Sequence, residues 1–191
     1  MPIAFDIEEL RRRFDCTTYL ETGLYDPRVD VSCRKALTCG FKKLYTVELR
    51  QDWVELGKAE FAADVESGRL SVIHDDSANL AAHIHGNADF EERTFFFLDA
   101  HVDNHLIKNF VKRCPIVEEL AAIKELGRKD HVICVDDMRI MRTPFPWREE
   151  SGGNINYEDK IRELILGINP AYKFMYLDGH VPGDVLCAYV A

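Results

Sequence analysis

The sequence of 191 residues predicts one α/β domain, in which a mostly parallel sheet has helices on both faces and ends in an antiparallel hairpin. Short apolar runs recur along the chain, and most are followed by a stretch with helical periodicity. The runs are rich in β-branched and aromatic residues that do not alternate with polar ones, which is typical of strands buried on both faces. The last two runs are separated only by residues 178–184, too short a connection for a crossover helix, so they form a hairpin.

The predicted elements follow in order along the chain. The seven predicted strands are residues 17–23, 44–49, 70–74, 94–99, 131–137, 173–177 and 185–190. Residues 1–16 contain an N-terminal helix, and further helices carry Trp53, begin at Pro115, and span residues 157–166. Residues 138–156 form a long irregular stretch of a length typical of substrate lids. We expect the whole range 1–191 to be a single domain.

Composition narrows the classes of protein to be considered. The formal net charge of −9 is opposite to the basic surface of a nucleic-acid binder. The six cysteines contain no C-x-x-C pair, which indicates reduced thiols in a cytosol-like compartment. The N-terminus lacks the apolar core of a signal peptide, and no apolar run approaches membrane-spanning length. The sequence therefore predicts a cytoplasmic protein without nucleic-acid or membrane partners, and it predicts no oligomeric state.

Polar residues that could bind a ligand follow the predicted strands, because open α/β sheets bind ligands beyond the carboxyl ends of their strands. They are Glu21, Thr22 and Gly23, then Glu48, then Asp75, Asp76 and Ser77, then Asp99 and His101, and finally Asp136 and Asp137. Glu48 stands where nucleotide-binding sheets place an acid against ribose hydroxyls. The G-x-G-x-x-G fingerprint is absent after Gly23. The pattern therefore favours a nucleoside ligand without a pyrophosphate.

Asp99, Asp136 and Asp137 form a predicted acid cluster. The chain between Asp99 and Asp136 is long enough for one strand–helix–strand crossover, so their strands can be neighbours. Carboxylates this close repel one another unless a cation or a proton intervenes, and oxygen ligands suit Mg²⁺, Ca²⁺ or Mn²⁺. His101 would then be placed as a general base. The alternative is that these acids cap the following helices or bind loop backbone.

The order and spacing of YLETG, TVEL, HDDSANL, FFFLDAH, CPIVEEL and HVICVDD resemble the class I S-adenosylmethionine-dependent methyltransferases. The sequence is most similar to small metal-dependent O-methyltransferases of the macrocin type, which act on sugars and secondary metabolites. It departs from their pattern at Pro27 and Arg28, and at Asp75, where glycine is common.

The resemblance implies roles for individual residues. It implies a Rossmann-like fold in which Glu21, Thr22 and Gly23 face the methionine part of S-adenosylmethionine, with Glu48 on the ribose and Asp76 and Ser77 beside the adenine. Asp99 would contact the cofactor and, with Asp136 and Asp137, would bind Mg²⁺ or Mn²⁺, while His101 acts as base. Arg139, Arg142 and Trp147 would close over a small acceptor, expected to be a carbohydrate.

Two other functions stay open. The altered first turn suits a methyltransferase-like domain that binds its ligand without turnover. The string Asp99-Ala100-His101-Val102-Asp103 also resembles the metal motif of arginase-type hydrolases, in which Asp99, His101 and Asp103 would hold two manganese ions. The further motifs of that family are not found in the sequence, so a methyltransferase is the preferred prediction.

Overall fold

A computed structural model describes residues 3–29, 31–101, 114–142 and 157–191 of the chain. The strands are β1 (Thr18–Thr22), β2 (Lys43–Glu48), β3 (Leu70–His74), β4 (Thr94–Leu98), β5 (Val132–Val135), β6 (Lys173–Leu177) and β7 (Val185–Tyr189). The helices are α1 (Ile7–Arg13), α2 (Ser32–Leu37), α3 (Gln51–Glu60), α4 (Ala62–Glu66), α5 (Ala81–Ile84), α6 (Ile116–Glu125), α7 (Met138–Met141) and α8 (Tyr157–Ile168). Short 3₁₀ turns cover Ser77–Asn79 and Ala88–Phe90.

All seven strands form one sheet in the order β3-β2-β1-β4-β5-β7-β6. The first five strands are parallel to one another, and β7 runs antiparallel to both β5 and β6. The predicted fold class is therefore confirmed, including the C-terminal hairpin. Because β4 and β5 are paired, with Leu98 opposite Val135, the residues that follow these two strands meet at one edge of the sheet.

Two layers of helices cover the sheet. Leu20, Phe96 and Ile133 pack on one face in a core with residues of α5, α6 and α8. Tyr19, Phe95 and Cys134 pack on the other face with residues of α1, α2 and α3. This explains the unbroken apolar sequence of the central strands, since each side chain is buried whichever way it points. Each fully buried phenylalanine contributes about 2 kcal/mol to stability.

Residues 138–156, predicted as an irregular lid, begin with helix α7, so the prediction was wrong for their first four residues. The chain turns into α7 at Asp137, whose left-handed backbone (φ 58°) lets the helix start directly after β5. Residues 143–156, including Trp147, lie outside the described residues. None of the helices in the described ranges combines the length and apolar character needed to cross a membrane.

Candidate functional site

Gly23 follows β1 at the carboxyl edge of the sheet, where it contacts the ends of the neighbouring strands β2 and β4. Its φ of +86° is a conformation that side chains disfavour, and a Cβ added there would lie 2.5 Å from the carbonyl oxygen of Asp99. The Gly23 N–H donates to the carbonyl of Val47 (2.8 Å). The glycine therefore permits a close approach of the backbone that follows β4.

Glu21 is buried below this edge, on the face covered by α2. One carboxylate oxygen accepts hydrogen bonds from the hydroxyls of Tyr19 (2.9 Å) and Ser32 (2.6 Å), and the other accepts from Thr46 (2.9 Å). Burial raises the pKa of Glu21, and the three hydroxyls act against that rise. A direct contact with the methionine part of a cofactor does not fit this position, because the Glu21 carboxylate is fully buried among these hydroxyls.

Glu48 closes β2 with its carboxylate at the edge, 4% exposed. One oxygen accepts from the backbone N–H of Tyr25 (2.9 Å) and the other from that of Arg50 (2.8 Å). Each carboxylate oxygen can accept two hydrogen bonds, so the group retains capacity for a pair of hydroxyl donors. Burial raises the pKa of Glu48, although the two N–H donors oppose the rise.

The residues after β3 form a tight polar turn. Asp75 accepts from the backbone of Asp76 (2.8 Å) and from His83 Nε2 (2.7 Å), which ties it to α5. Asp76 caps the 3₁₀ turn by accepting from Ala78 N (2.9 Å). The Ser77 hydroxyl is buried and has no hydrogen-bond partner among the described residues. The Asp75 carboxylate thus already has its hydrogen-bond partners within the chain, whereas the Ser77 hydroxyl is available to a ligand.

The predicted acid cluster does assemble. Candidate metal-ligand atoms of Asp99, His101 and Asp137 lie within 4.8 Å of one another, and those of Asp136, Asp137 and Asp184 do so as well. His101 Nε2 lies 3.6 Å from Asp99 Oδ1 and hydrogen-bonds Asp137 Oδ2. Asp137 belongs to both groups, whereas Asp99 and Asp136 fall in different ones, so joint binding of one ion by these three acids remains a prediction.

Burial and mutual charge shift the pKa values of Asp99, Asp136 and His101. Burial and the charge of Asp136 raise the pKa of Asp99 well above its ordinary value. Burial and the charge of Asp137 raise the pKa of Asp136 to about 6. Burial acts to lower the pKa of His101, but its hydrogen bond to Asp137 and the charge of Asp99 outweigh burial and raise it to about 9. Without a bound cation, His101 is thus protonated near neutral pH and unable to accept a proton.

Asp184 belongs to the cluster although the sequence analysis did not select it. It precedes β7 and is fully buried, accepting from the backbone N–H of Arg139 (2.9 Å). The Arg139 guanidinium also forms ion pairs with Asp184 and Asp137. A signal was present in the sequence: because β7 is antiparallel to β5, the residue before β7 lies at the edge where β5 ends.

The predicted lid arginines contact acids of the chain. Arg139 lies in α7 and pairs with the acid cluster as described above. Arg142 follows α7, and its Nε donates to Glu158 (2.8 Å) of α8, while its guanidinium lies 5.0 Å from the ring centre of Tyr176. Contact of either arginine with an acceptor remains a prediction.

The donor set of the cluster fits a divalent cation. Its carboxylate oxygens and one imidazole fall into two overlapping groups of three that share Asp137, and each group is compact enough for one ion. Asp137 Oδ1 is buried and accepts no hydrogen bond within the described residues, its one close contact being the ion pair with Arg139. The Arg139 guanidinium thus supplies part of the positive charge that a bound cation would otherwise supply to Asp137.

No family model matches the chain, and no curated protein matches its sequence. Solved structures match its fold. An O-methyltransferase from Bacillus cereus in complex with SAH (S-adenosylhomocysteine) superposes with a TM-score of 0.64 at 14% identity, covering 96% of this chain and 78% of that one. The O-methyltransferase TomG from Streptomyces achromogenes, in complex with SAM (S-adenosylmethionine), gives 0.60 at 14% identity, covering 96% and 77%.

A putative methyltransferase from Streptococcus mutans in complex with SAH matches over 98% of both chains, with a TM-score of 0.56 at 10% identity. At such identities the likeness shows the fold alone. That fold is the Rossmann-like fold of class I methyltransferases, as the sequence resemblance implies.

Proposed function

We propose that this chain is an S-adenosylmethionine-dependent O-methyltransferase that methylates a hydroxyl of a small acceptor with the help of a divalent cation. One observation carries the proposal: the acid cluster and the buried acid Glu48 lie at the same carboxyl edge of the sheet. This is the edge at which open α/β sheets bind ligands. The solved structures that share the fold include complexes with SAM and SAH.

The half of the edge formed by β1, β2 and β3 would hold the cofactor, which when bound supplies an electrophilic methyl group on sulfur. Glu48 accepts the two ribose hydroxyls with the hydrogen-bonding capacity that its backbone donors leave unused. Asp76 and Ser77 line the adenine side. Thr22 and Gly23 form the floor beside the methionine part, and Glu21 supports that floor from below through its three hydroxyl partners.

The half formed by β4, β5 and β7 would hold the cation on Asp99, Asp136 and Asp137. Mg²⁺ or Mn²⁺ there would act as a Lewis acid on the acceptor and lower the pKa of its hydroxyl. An acceptor with two neighbouring oxygens, such as a sugar, suits a site of this kind. Arg139, Arg142 and Trp147, in the segment after β5, are proposed to contact the acceptor. The cytoplasmic location of the protein remains a prediction.

Methyl transfer needs the acceptor oxygen to attack in line. The new carbon–oxygen bond forms as the carbon–sulfur bond breaks, and the electron pair of that bond stays on sulfur. His101 takes the hydroxyl proton, which requires that its imidazole be neutral. The charges of Asp99 and Asp137 keep it protonated in the absence of a cation. Neutralisation of those two carboxylates therefore makes His101 available as a base.

One alternative has a specific observation behind it. Tyr25 N–H occupies Glu48, and Arg139 pairs with Asp137 and Asp184, so the chain partly fills both halves of the site by itself. This favours a domain that binds its ligand without turnover. For the arginase-type alternative, Asp103 lies outside the described residues, and the matching folds reported above are those of methyltransferases.

The experiment uses two variants, each of which should impair one half of the site and leave the other half intact. Calorimetry with SAH and titration with Mn²⁺, followed by electron paramagnetic resonance, are done on the wild type, Glu48→Gln and Asp136→Asn. We expect Glu48→Gln to weaken SAH binding roughly 10- to 100-fold, through the loss of about 1.5–3 kcal/mol of hydrogen bonding to a charged group, with Mn²⁺ binding unchanged. Asp136→Asn should keep SAH binding and lose both Mn²⁺ binding and methyl transfer.

Glu55→Gln and Asp159→Asn are the matched controls, because both side chains are exposed and neither belongs to the proposed site. Methyl transfer is measured with a panel of sugars and other small hydroxyl compounds. If the wild type binds no SAH, the proposed function is wrong. Tight SAH binding without transfer to any acceptor would support the binding domain instead.

A further inference from the structure

Glu119 is a buried acid that the proposed mechanism does not use. It lies in the first turn of α6, a helix that starts near the carboxyl edge, and only 1% of the residue is exposed. Its Oε1 has no hydrogen-bond partner among the residues that the structure describes. Leaving a buried carboxylate oxygen unpaired costs about 1–3 kcal/mol or more, so its presence calls for an explanation.

The surroundings of Glu119 place it beside the proposed adenine side. Helix α6 packs on the 3₁₀ turn Ser77–Asn79. The hydroxyls of Ser77 and Thr22 lie close enough to lower the pKa of Glu119, yet the Ser77 hydroxyl makes no hydrogen bond within the described chain. Ser77 Oγ and Glu119 Oε1, two buried atoms with no hydrogen-bond partner in the described part of the chain, therefore lie near each other between α6 and the turn after β3.

The hydrogen-bonding capacity of Ser77 and Glu119 determines which kind of ligand atom could bind between them. A carboxylate only accepts hydrogen bonds, and a serine hydroxyl both donates and accepts, so the missing partner includes a donor. The cofactor of the proposed function carries donors on its ribose, its ammonium group and its base. Glu48 takes the ribose hydroxyls, and the ammonium group belongs near the β1 turn. The exocyclic amine of the adenine is the donor that remains on this side.

We infer that Glu119, together with Ser77, binds the exocyclic amine of the adenine ring and thereby determines the base specificity of the cofactor site. This rests on the proposed function and adds a residue to it. In its ionised form Glu119 only accepts hydrogen bonds, which favours an amine and disfavours a carbonyl oxygen at the same place on the base. A buried group left unpaired by the wrong base is a strong source of discrimination.

The test compares SAH with S-inosylhomocysteine, in which a carbonyl replaces the amine of the base. Dissociation constants are measured by calorimetry at about pH 8.5, where the Glu119 carboxyl is ionised. The proteins are the wild type, Glu119→Gln and the control Glu125→Gln, an exposed glutamate at the other end of α6. We expect the wild type and the control to prefer SAH by roughly tenfold or more. In Glu119→Gln the preference should collapse, because an amide can accept from an amine or donate to a carbonyl.

Melting temperatures separate recognition from a structural role. Glu119→Gln should leave the ligand-free protein as stable as the wild type or more stable, and should reduce only the increase in melting temperature that SAH produces. Unchanged discrimination in Glu119→Gln, with normal SAH binding, would overturn this inference and leave the proposed function intact. Equal destabilisation of the free and bound forms would also overturn it. Failure of the wild type to bind SAH would overturn both.

Discussion

The two halves of the carboxyl edge both hold buried acids, but they neutralise them by different means. On the side of β1 and β2, neutral groups surround Glu21 and Glu48: three hydroxyls and two backbone N–H groups. On the side of β4, β5 and β7, carboxylates lie against one another and against the cationic side chains of His101 and Arg139. In the first half, neutral hydrogen-bond donors offset the cost of burying each carboxylate. In the second half, several charged groups lie against one another.

This difference separates recognition from ion binding. A carboxylate held by neutral dipoles keeps a fixed orientation and suits hydrogen bonds to a neutral ligand. Carboxylates that repel one another gain most from a cation, so their arrangement is more responsive to ions and to pH. The following three predictions test the contrast, from the largest expected effect to the smallest.

Replacement of Glu21 by leucine should be the most damaging change in the first half. It removes the shared acceptor of Tyr19, Ser32 and Thr46, and leaves three buried hydroxyls unpaired. We expect a loss of about 4 kcal/mol in the free energy of unfolding, measured with urea. Ser32→Ala removes one donor and should cost about 1 kcal/mol. Equal losses in the two variants would show that the carboxylate does not organise this group.

Arg139→Met tests the second half. It strips a cation from the buried Asp184 and from Asp137, and we expect a loss of about 3 kcal/mol without added metal. Millimolar Mn²⁺ should restore most of this loss, because the freed carboxylates can bind the ion. Arg28→Met, which breaks an exposed pair with Asp26, should leave the free energy of unfolding almost unchanged, with or without Mn²⁺. Loss of stability that Mn²⁺ fails to restore would contradict a cation site here.

The pH dependence of stability should report Glu119. Burial raises its pKa from 4.5 to about 7, against the hydroxyls of Ser77 and Thr22 and the charge of His101, with the charge of Asp76 adding to the rise. Because the folded state holds this proton more tightly than the unfolded chain, the contribution to stability is complete below about pH 4.5 and is lost as pH rises through about 7.

Glu119→Gln should remove that loss. Its stability relative to the wild type should therefore increase by roughly 2–3 kcal/mol between about pH 4.5 and about pH 8. Urea unfolding at a series of pH values measures the change, with Glu125→Gln as the control. A constant difference across this range would mean that Glu119 does not titrate as its burial requires.

The sequence predicts the elements of this fold better than the contacts of its site. Unbroken runs of apolar residues predict buried strands such as β4 and β5, and the short link before β7 requires a hairpin. Asp99, Asp136 and Asp137 could be selected because the crossover rule places strand ends together. The partners of Glu21 could not be selected, because the positions of Ser32 and Thr46 relative to Glu21 depend on how α2 and β2 pack.

Two residues could have been found from the sequence with one further step. Glu119 is an acid three residues after Ile116 and four before Ile123, and thus lies on the apolar face of its helix. Asp184 follows from the direction of the last strand. By contrast, no local pattern distinguishes an arginine that covers an acceptor from one that pairs with Asp184, as Arg139 does.

The position of β7 between β5 and β6 has a consequence for how the protein is made. Strand β6 leaves the ribosome before β7, but its sheet neighbour is β7. Until β7 emerges, β6 has no strand to pair with, and β5 exposes an edge. Asp184 arrives with the same segment, so Arg139 and Asp137 acquire their third partner only then. Insertion of β7 between β5 and β6 is therefore a late step of folding, and the edge of β5 is open to aggregation until it happens.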